Sequence, residues 1–189
     1  MRCQGLITRL FLVLIGALTL TAVGVAASPK ETVVYAFQDQ SDGYFPRGLA
    51  ADASGNLYGV TGGGGAANAG LVYELLRPAQ PGGSWTFTAL YTFQGGVDGV
   101  GPVGPLIFDR VGNLYGGTVG GGSSNCHAGC GTVFELSPPS IPGGNWTKSQ
   151  LYAFQGGPSD GGGWPPFIFK AASRFLRART WLGLRLSAI

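Results

Sequence analysis

Charge is scarce in this sequence. Asp, Glu, Lys and Arg make up 11% of its 189 residues, against 44% hydrophobic and 12% aromatic residues. Disordered chains have the reverse balance, so disorder is excluded. Histidine is nearly missing, with His127 the single example. Nucleophilic catalysis needs a base beside the nucleophile and a third group to orient that base. His127 sits between Cys126 and Cys130 in a glycine-rich stretch, which suits no such triad. Cysteine stops at three, and no second Cys or His cluster exists to complete the four ligands that zinc prefers. Helical periodicity is also lacking: nothing in residues 28–170 sustains apolar positions at helical spacing.

Glycine and proline are abundant, at 35 and 12 residues, about a quarter of the chain. With many aromatics and little charge, that composition predicts an all-β fold of short strands joined by tight turns. The length suffices for one ordinary domain with a sizeable core.

The two ends differ from the body. Arg2 and Arg9 precede an apolar run from Leu10 to Leu20, and Val25-Ala26-Ala27 offers small residues before Ser28. This layout predicts a secretory signal peptide over residues 1–27. An uncleaved anchor is the alternative, because the run extended to Ala27 approaches spanning length. Membrane contact is expected only through that segment. Residues 170–189 hold five basic residues and no acid, whereas residues 28–169 hold five basic residues against nine acids, a net of −4. A nucleic-acid-binding body would be basic and clustered, so no nucleic-acid partner is expected.

The body repeats itself. "VVYAFQDQSDG" (33–43), "ALYTFQGGVDG" (89–99) and "QLYAFQGGPSDG" (150–161) are three copies of one phrase. "GLVYEL" (70–75) returns as "GTVFEL" (131–136), and "PGGSWT" (81–86) as "PGGNWT" (142–147). The offset is 56 at Tyr35 to Tyr91, 57 at Asp52 to Asp109, and 61 at Glu74 to Glu135, so the extra residues fall in one loop around 123–131. Each copy divides into four strand-like segments, which in the second are 104–109, 113–118, 131–136 and 146–154. Four strands per repeat resemble a propeller blade. We expect tandem four-stranded blade-like repeats, a partial β-propeller of two full repeats and part of a third, with units at about 33–89, 90–149 and 150–169.

One repeated phrase could be mistaken for a phosphate loop. "DASGNLYG" and "DRVGNLYG" place Asp52 or Asp109 at a strand end, Gly55-Asn56 or Gly112-Asn113 at the bend, and Tyr58 or Tyr115 in the next strand. Glycine tolerates positive φ, asparagine tolerates the left-handed region, and aspartate can close an Asx-turn. A phosphate loop needs a lysine with Ser or Thr after the glycines, or GxGxxG opening a helix. Neither follows here. The eight motif residues read as a structural hairpin.

Together these phrases, YxFxGGxDG…P…LIFDxxGNLYGxT…GGG…GTVFEL, resemble the GloVer-type tandem repeat over about residues 33 to 169. The resemblance implies an extracytoplasmic bacterial repeat protein, propeller-like and often tethered by a C-terminal sorting signal. It carries no catalytic residues to this chain. The third copy departs from the pattern: Pro166-Phe167-Ile168-Phe169 matches Pro105-Leu106-Ile107-Phe108, but Lys170 stands in the aspartate's position and "SRFLR" replaces "GNLYG". Either a divergent capping segment or a shifted reading frame accounts for residues 170–189. Under the second reading the chain is a fragment, and two and a half blades fall short of the four to eight that close a propeller.

The remaining chemistry is sparse. Asp42, Asp98 and Asp160, each before a glycine, recur in register and read as turn residues; a calcium loop would need several closely spaced oxygen ligands. Cys126 and Cys130 read as a local disulfide, with free thiols or a metal site using His127 as alternatives. Recurrent Tyr35, Tyr91, Tyr152, Trp85 and Trp146 read as core, with sugar-stacking platforms as the other reading. Asn145-Trp146-Thr147 meets a glycosylation sequon but lies in repeat register. No catalytic residue, metal site or cofactor is expected. The expected role is surface-structural, or binding of proteins, cell-surface glycans or other repeat chains. The alternative is a propeller-type metal-dependent enzyme of the lactonase or lyase kind.

Overall fold

The structure is a computed structural model that describes residues 31–38, 41–158 and 160. The expected signal segment 1–27, the tail 170–189, and residues 159 and 161–169 of the third copy lie outside the described residues. Eight strands form in chain order: β1 (Tyr44–Ala51), β2 (Leu57–Gly63), β3 (Leu71–Leu76), β4 (Thr86–Thr92), β5 (Val100–Phe108), β6 (Leu114–Gly120), β7 (Thr132–Ser137) and β8 (Thr147–Ala153). They make two four-stranded antiparallel sheets, β1-β2-β3-β4 (sheet 1) and β5-β6-β7-β8 (sheet 2). The one helical element among the described residues is a 3-10 turn at Gly96–Asp98. The fold is all-β, built of two repeated meanders.

Sheet boundaries and repeat boundaries are out of phase. A repeat cut at 89/90 falls inside β4, and a cut at 149/150 falls inside β8. The phrase Tyr-x-Phe-Gln therefore closes a sheet rather than opening one. The register irregularities repeat as well. β3 slips against β4 between Val72 and Tyr73, and β7 slips against β8 between Val133 and Phe134.

Alternation along the strands gives each sheet two different faces. On β3, Leu71, Tyr73 and Leu75 face one way and join one apolar cluster, while Val72 joins another. The second cluster is shared: Tyr58, Val60, Val72, Leu90 and Phe93 of sheet 1 meet Leu106, Leu114, Phe134 and Leu136 of sheet 2. Each such side chain contributes about 1.5–3 kcal/mol when fully buried. The inner edges also touch: a Cβ on Gly48 would lie 2.4 Å from the backbone nitrogen of Pro105, so only glycine fits there. The opposite face of sheet 1 is covered by Tyr35 and Phe37, which pack with Tyr73, Trp85 and Phe87.

Candidate binding cleft

The two repeated hairpins carry the same hydrogen-bond pattern. Asp52 Oδ1 accepts from the backbone N–H of Ser54 and Asn56, both at 2.9 Å, and Oδ2 accepts from Asn56 Nδ2 at 2.9 Å. Asp109 Oδ1 accepts from Val111 N at 3.0 Å and Asn113 N at 2.9 Å, and Oδ2 from Asn113 Nδ2 at 2.9 Å. Gly55 and Gly112 occupy the bend with φ of 82° and 90°. An ionised carboxylate offers about four acceptor positions. Three are used by the turn, and the fourth faces a tyrosine hydroxyl: Tyr115 donates to Asp109 Oδ2 at 3.1 Å. Tyr58 stands 3.4 Å from Asp52 Oδ2 and donates more closely to Glu74 Oε1, directly opposite it on β3. These aspartates have little left to offer a ligand.

The tyrosines stay protonated. Burial, followed by Glu74 and Asp52, pushes the Tyr58 phenol far above its ordinary value. Burial and then the charges of Glu135 and Asp109 push Tyr115 up to about 12. Both remain hydrogen-bond donors at neutral pH.

Between the two turns lies an open cleft of about 360 Å³, lined by Asp52 and Tyr58 from sheet 1 and by Phe108, Asp109, Arg110 and Trp146 from sheet 2. Its wall is the edge-to-face contact of Tyr58 with Phe108, centroids 4.9 Å apart at 87°. Trp146 is half-buried against the shared core, and Arg110 is exposed at the rim. The cleft's volume lies at the small end of the range for small-molecule pockets, about 300–1,000 Å³. Its chemistry is aromatic surface beside one guanidinium.

A second repeated device fixes the sheet-to-sheet junction. Tyr91 donates to Asp98 Oδ1 at 2.8 Å, Gln94 N donates to Asp98 Oδ2 at 2.8 Å, and Gln94 Nε2 donates to Thr92 O at 2.9 Å. Tyr35, Asp42 and Gln38 make the same set, and so do Tyr152, Asp160 and Gln155. The DG phrase is therefore a carboxylate clasp on the preceding tyrosine. The sequence showed that these residues recur, but not that Tyr and Asp bond to each other. Lys148 was not singled out at all. Its ammonium reaches Asp98 and lies 5.6 Å from the Tyr91 ring centre and 5.4 Å from that of Phe93. Burial pushes the Asp98 carboxyl up, yet Lys148, Gln94 N–H and Tyr91 outweigh it and hold the group below its ordinary value.

Cys126 and Cys130 are joined by a disulfide, with Cα atoms 5.1 Å apart. Cys130 is buried beside Val103, Val133 and Phe154, while His127 is exposed. Asn125 Nδ2 donates to Gln155 O at 3.0 Å and ties this loop to the chain leaving β8. Among the described residues no group of three or more His, Cys, Asp or Glu side chains gathers where a metal ion could be held.

A family model described as the Gloeobacter/Verrucomicrobia repeat matches residues 19–170. The chain belongs to the Gloeobacter/Verrucomicrobia repeat family. The match to the Gloeobacter/Verrucomicrobia repeat spans both sheets, the three Tyr–Asp clasps and both hairpins. No curated protein and no solved structure matches the chain.

Proposed function

We propose that this chain is an exported, non-catalytic repeat scaffold whose sheets stack in series as propeller-type blades, and that it serves a surface-structural or binding role. One observation carries the reading: every repeated acid with a described bond is engaged in holding a turn or a tyrosine, and each sheet packs against a Tyr-x-Phe segment that precedes its first strand. Serial engagement of that kind is the logic of repeat architectures, in which each unit contacts its neighbours and buries a shared core. The cleft between successive hairpins is the place for a small ligand, with Trp146 and Phe108 offering ring faces to a sugar and Arg110 a donor at its rim. A metal-dependent lactonase or lyase would instead need acids converging on a channel with open coordination positions.

The test is a glycan array and a divalent-ion thermal-shift series on the purified chain, together with metal analysis. Saturable glycan binding without turnover supports the reading. A tight stoichiometric metal with lactone or polysaccharide turnover overturns it.

A further inference from the structure

We propose that the backbone edge of Val33–Phe37 is a docking strand that receives the third strand of a further repeat sheet, carried by another chain of this repeat type. This inference needs neither export nor ring closure. It rests on register alone.

Three observations make Val33–Gln38, which pairs as no strand in the structure and bends at Val34, the counterpart of the end of β4. The first is the clasp: Tyr35 donates to Asp42 at 2.7 Å and Gln38 Nε2 to Ala36 O at 2.9 Å, as Tyr91 and Gln94 do at the end of β4. The second is packing. Phe37 meets Tyr73 edge-to-face at 5.2 Å and 72°, and Phe93 meets Phe134 at 5.2 Å and 67°. The segment therefore lies on sheet 1 as the end of β4 lies on sheet 2. The third is exposure. Leu90, on β4, is 8% exposed, whereas Val34 at the same repeat position is 41% exposed and Val33 is 76% exposed. Two adjacent β-branched residues on an unpaired edge are a template for strand addition.

The register names the occupant. Tyr91 stands opposite Val72 and Thr92 opposite Leu71; Tyr152 stands opposite Val133 and Ala153 opposite Thr132. Tyr35 then calls for valine opposite it and Ala36 for leucine or threonine, antiparallel. That is Gly-x-Val-(Tyr/Phe)-Glu-Leu. The 189 residues hold this phrase twice, at 70–75 and 131–136, and both copies already carry β4 and β8. Both copies are thus engaged, and the strand for Val33–Phe37 is assigned to another chain of this repeat type.

The test adds a labelled peptide with the sequence of residues 70–78 to the full chain and follows amide hydrogen exchange. Exchange at Tyr35 and Phe37, the counterparts of Tyr91 and of Phe93, whose N–H donates to Gly70 O, is expected to slow by at least about tenfold at about 1 mM peptide. A scrambled peptide, or the same peptide N-methylated at the valine matching Val72, is expected to give no protection. Protection at the outer edges of β1 or β8 instead, or no protection at that concentration, overturns the proposal. Equal protection by the scrambled peptide overturns it too.

Discussion

Sheet 1 and sheet 2 share a framework, and four of their differences bear on how it is held together. The junction slot over the Tyr-x-Phe segment holds Phe87 in sheet 1, stacked on Tyr35 at 5.2 Å, and Lys148 in sheet 2, over Tyr91 and paired with Asp98. The second and third strands are joined by a buried pair, Thr118 with Thr132 at 2.9 Å, where sheet 1 has Thr61 facing Leu71. The loop Asn68-Ala69-Gly70 becomes Asn125 to Gly131, with Cys130 buried as Ala69 is. Gly101, with φ of 62°, corresponds to Phe45, with φ of 55°. The Asx-turn bonds of the hairpins and the Tyr–Asp and Gln bonds of the clasps, by contrast, recur in each copy. Polar contacts between residues close in sequence are held constant, and contacts between distant residues drift.

The junction slot should show the largest effect. Lys148→Ala leaves the Asp98 carboxylate partly buried without its cation and should cost about 2–3 kcal/mol in denaturant unfolding, below the range for fully buried pairs. Lys148→Phe imports the sheet 1 side chain, which restores ring packing but supplies no cation to Asp98, and should cost less than Lys148→Ala. Equal losses for the two variants would mean that the slots are not equivalent. The pH dependence follows from the lowered Asp98 value. A carboxyl held below its unfolded value contributes stability that is present above the ordinary carboxylate range and fades as pH falls through its depressed value. The acid limb of the stability profile should therefore flatten in Lys148→Ala.

These contrasts show what the sequence made legible. Repeated phrases marked four segments in the second copy that overlap β5 to β8, because glycine, proline and Asp-x-x-Gly-Asn mark turns through local backbone chemistry. The Asx-turn of Asp52 and Asp109 was readable for the same reason: its partners lie within four residues. The Tyr–Asp clasp spans seven or eight residues and recurs three times, yet its recurrence alone did not say which groups meet. Lys148 bonding Asp98 bridges fifty residues, and no local pattern encodes that contact. The cleft was hidden for a further reason: it exists only where two copies stack.

Next in size is the threonine pair. Thr118 Oγ1 accepts from Thr132 N at 3.0 Å, pairs with Thr132 Oγ1, and lies 2.8 Å from Gly120 O. Thr118→Val strands the Thr132 groups in the core and should cost about 2 kcal/mol. Thr61 Oγ1 is buried with no hydrogen-bond partner in the structure. Thr61→Val removes that burden and should gain about 1 kcal/mol. The same substitution thus acts with opposite signs at aligned positions, and unfolding midpoints of the same sign would break the comparison.

The disulfide loop comes third. A cross-link with a sequence separation of four closes a short loop. Chain-entropy arguments give it about 2 kcal/mol, which mild reduction should remove. Deleting Cys126–Gly129 together with Cys130→Ala recreates the Asn-Ala-Gly loop of sheet 1 and should cost less than reduction does. A larger loss on deletion would assign the inserted residues a packing role against Phe154 beyond loop closure.

The smallest effect is at Phe45. A phenylalanine in the left-handed region bears strain of about 1 kcal/mol, and this one is 67% exposed, so burial does not offset it. Phe45→Gly matches Gly101 and relieves the strain, but glycine costs about 0.5–1 kcal/mol in lost chain entropy. The edge-to-face contact with Tyr44, at 5.0 Å, is lost as well. These terms nearly cancel. Phe45→Asn keeps a side chain that tolerates positive φ without the glycine penalty, and should raise stability by about 0.5 kcal/mol relative to wild type. The reverse change, Gly101→Asn, should destabilise, because a Cβ there would meet Val119 Cγ2 at 2.9 Å inside the core. A loss above about 1 kcal/mol for Phe45→Asn would show that Phe45 is held by more than its Tyr44 contact, and that the first strands of the two sheets are not equivalent at this position.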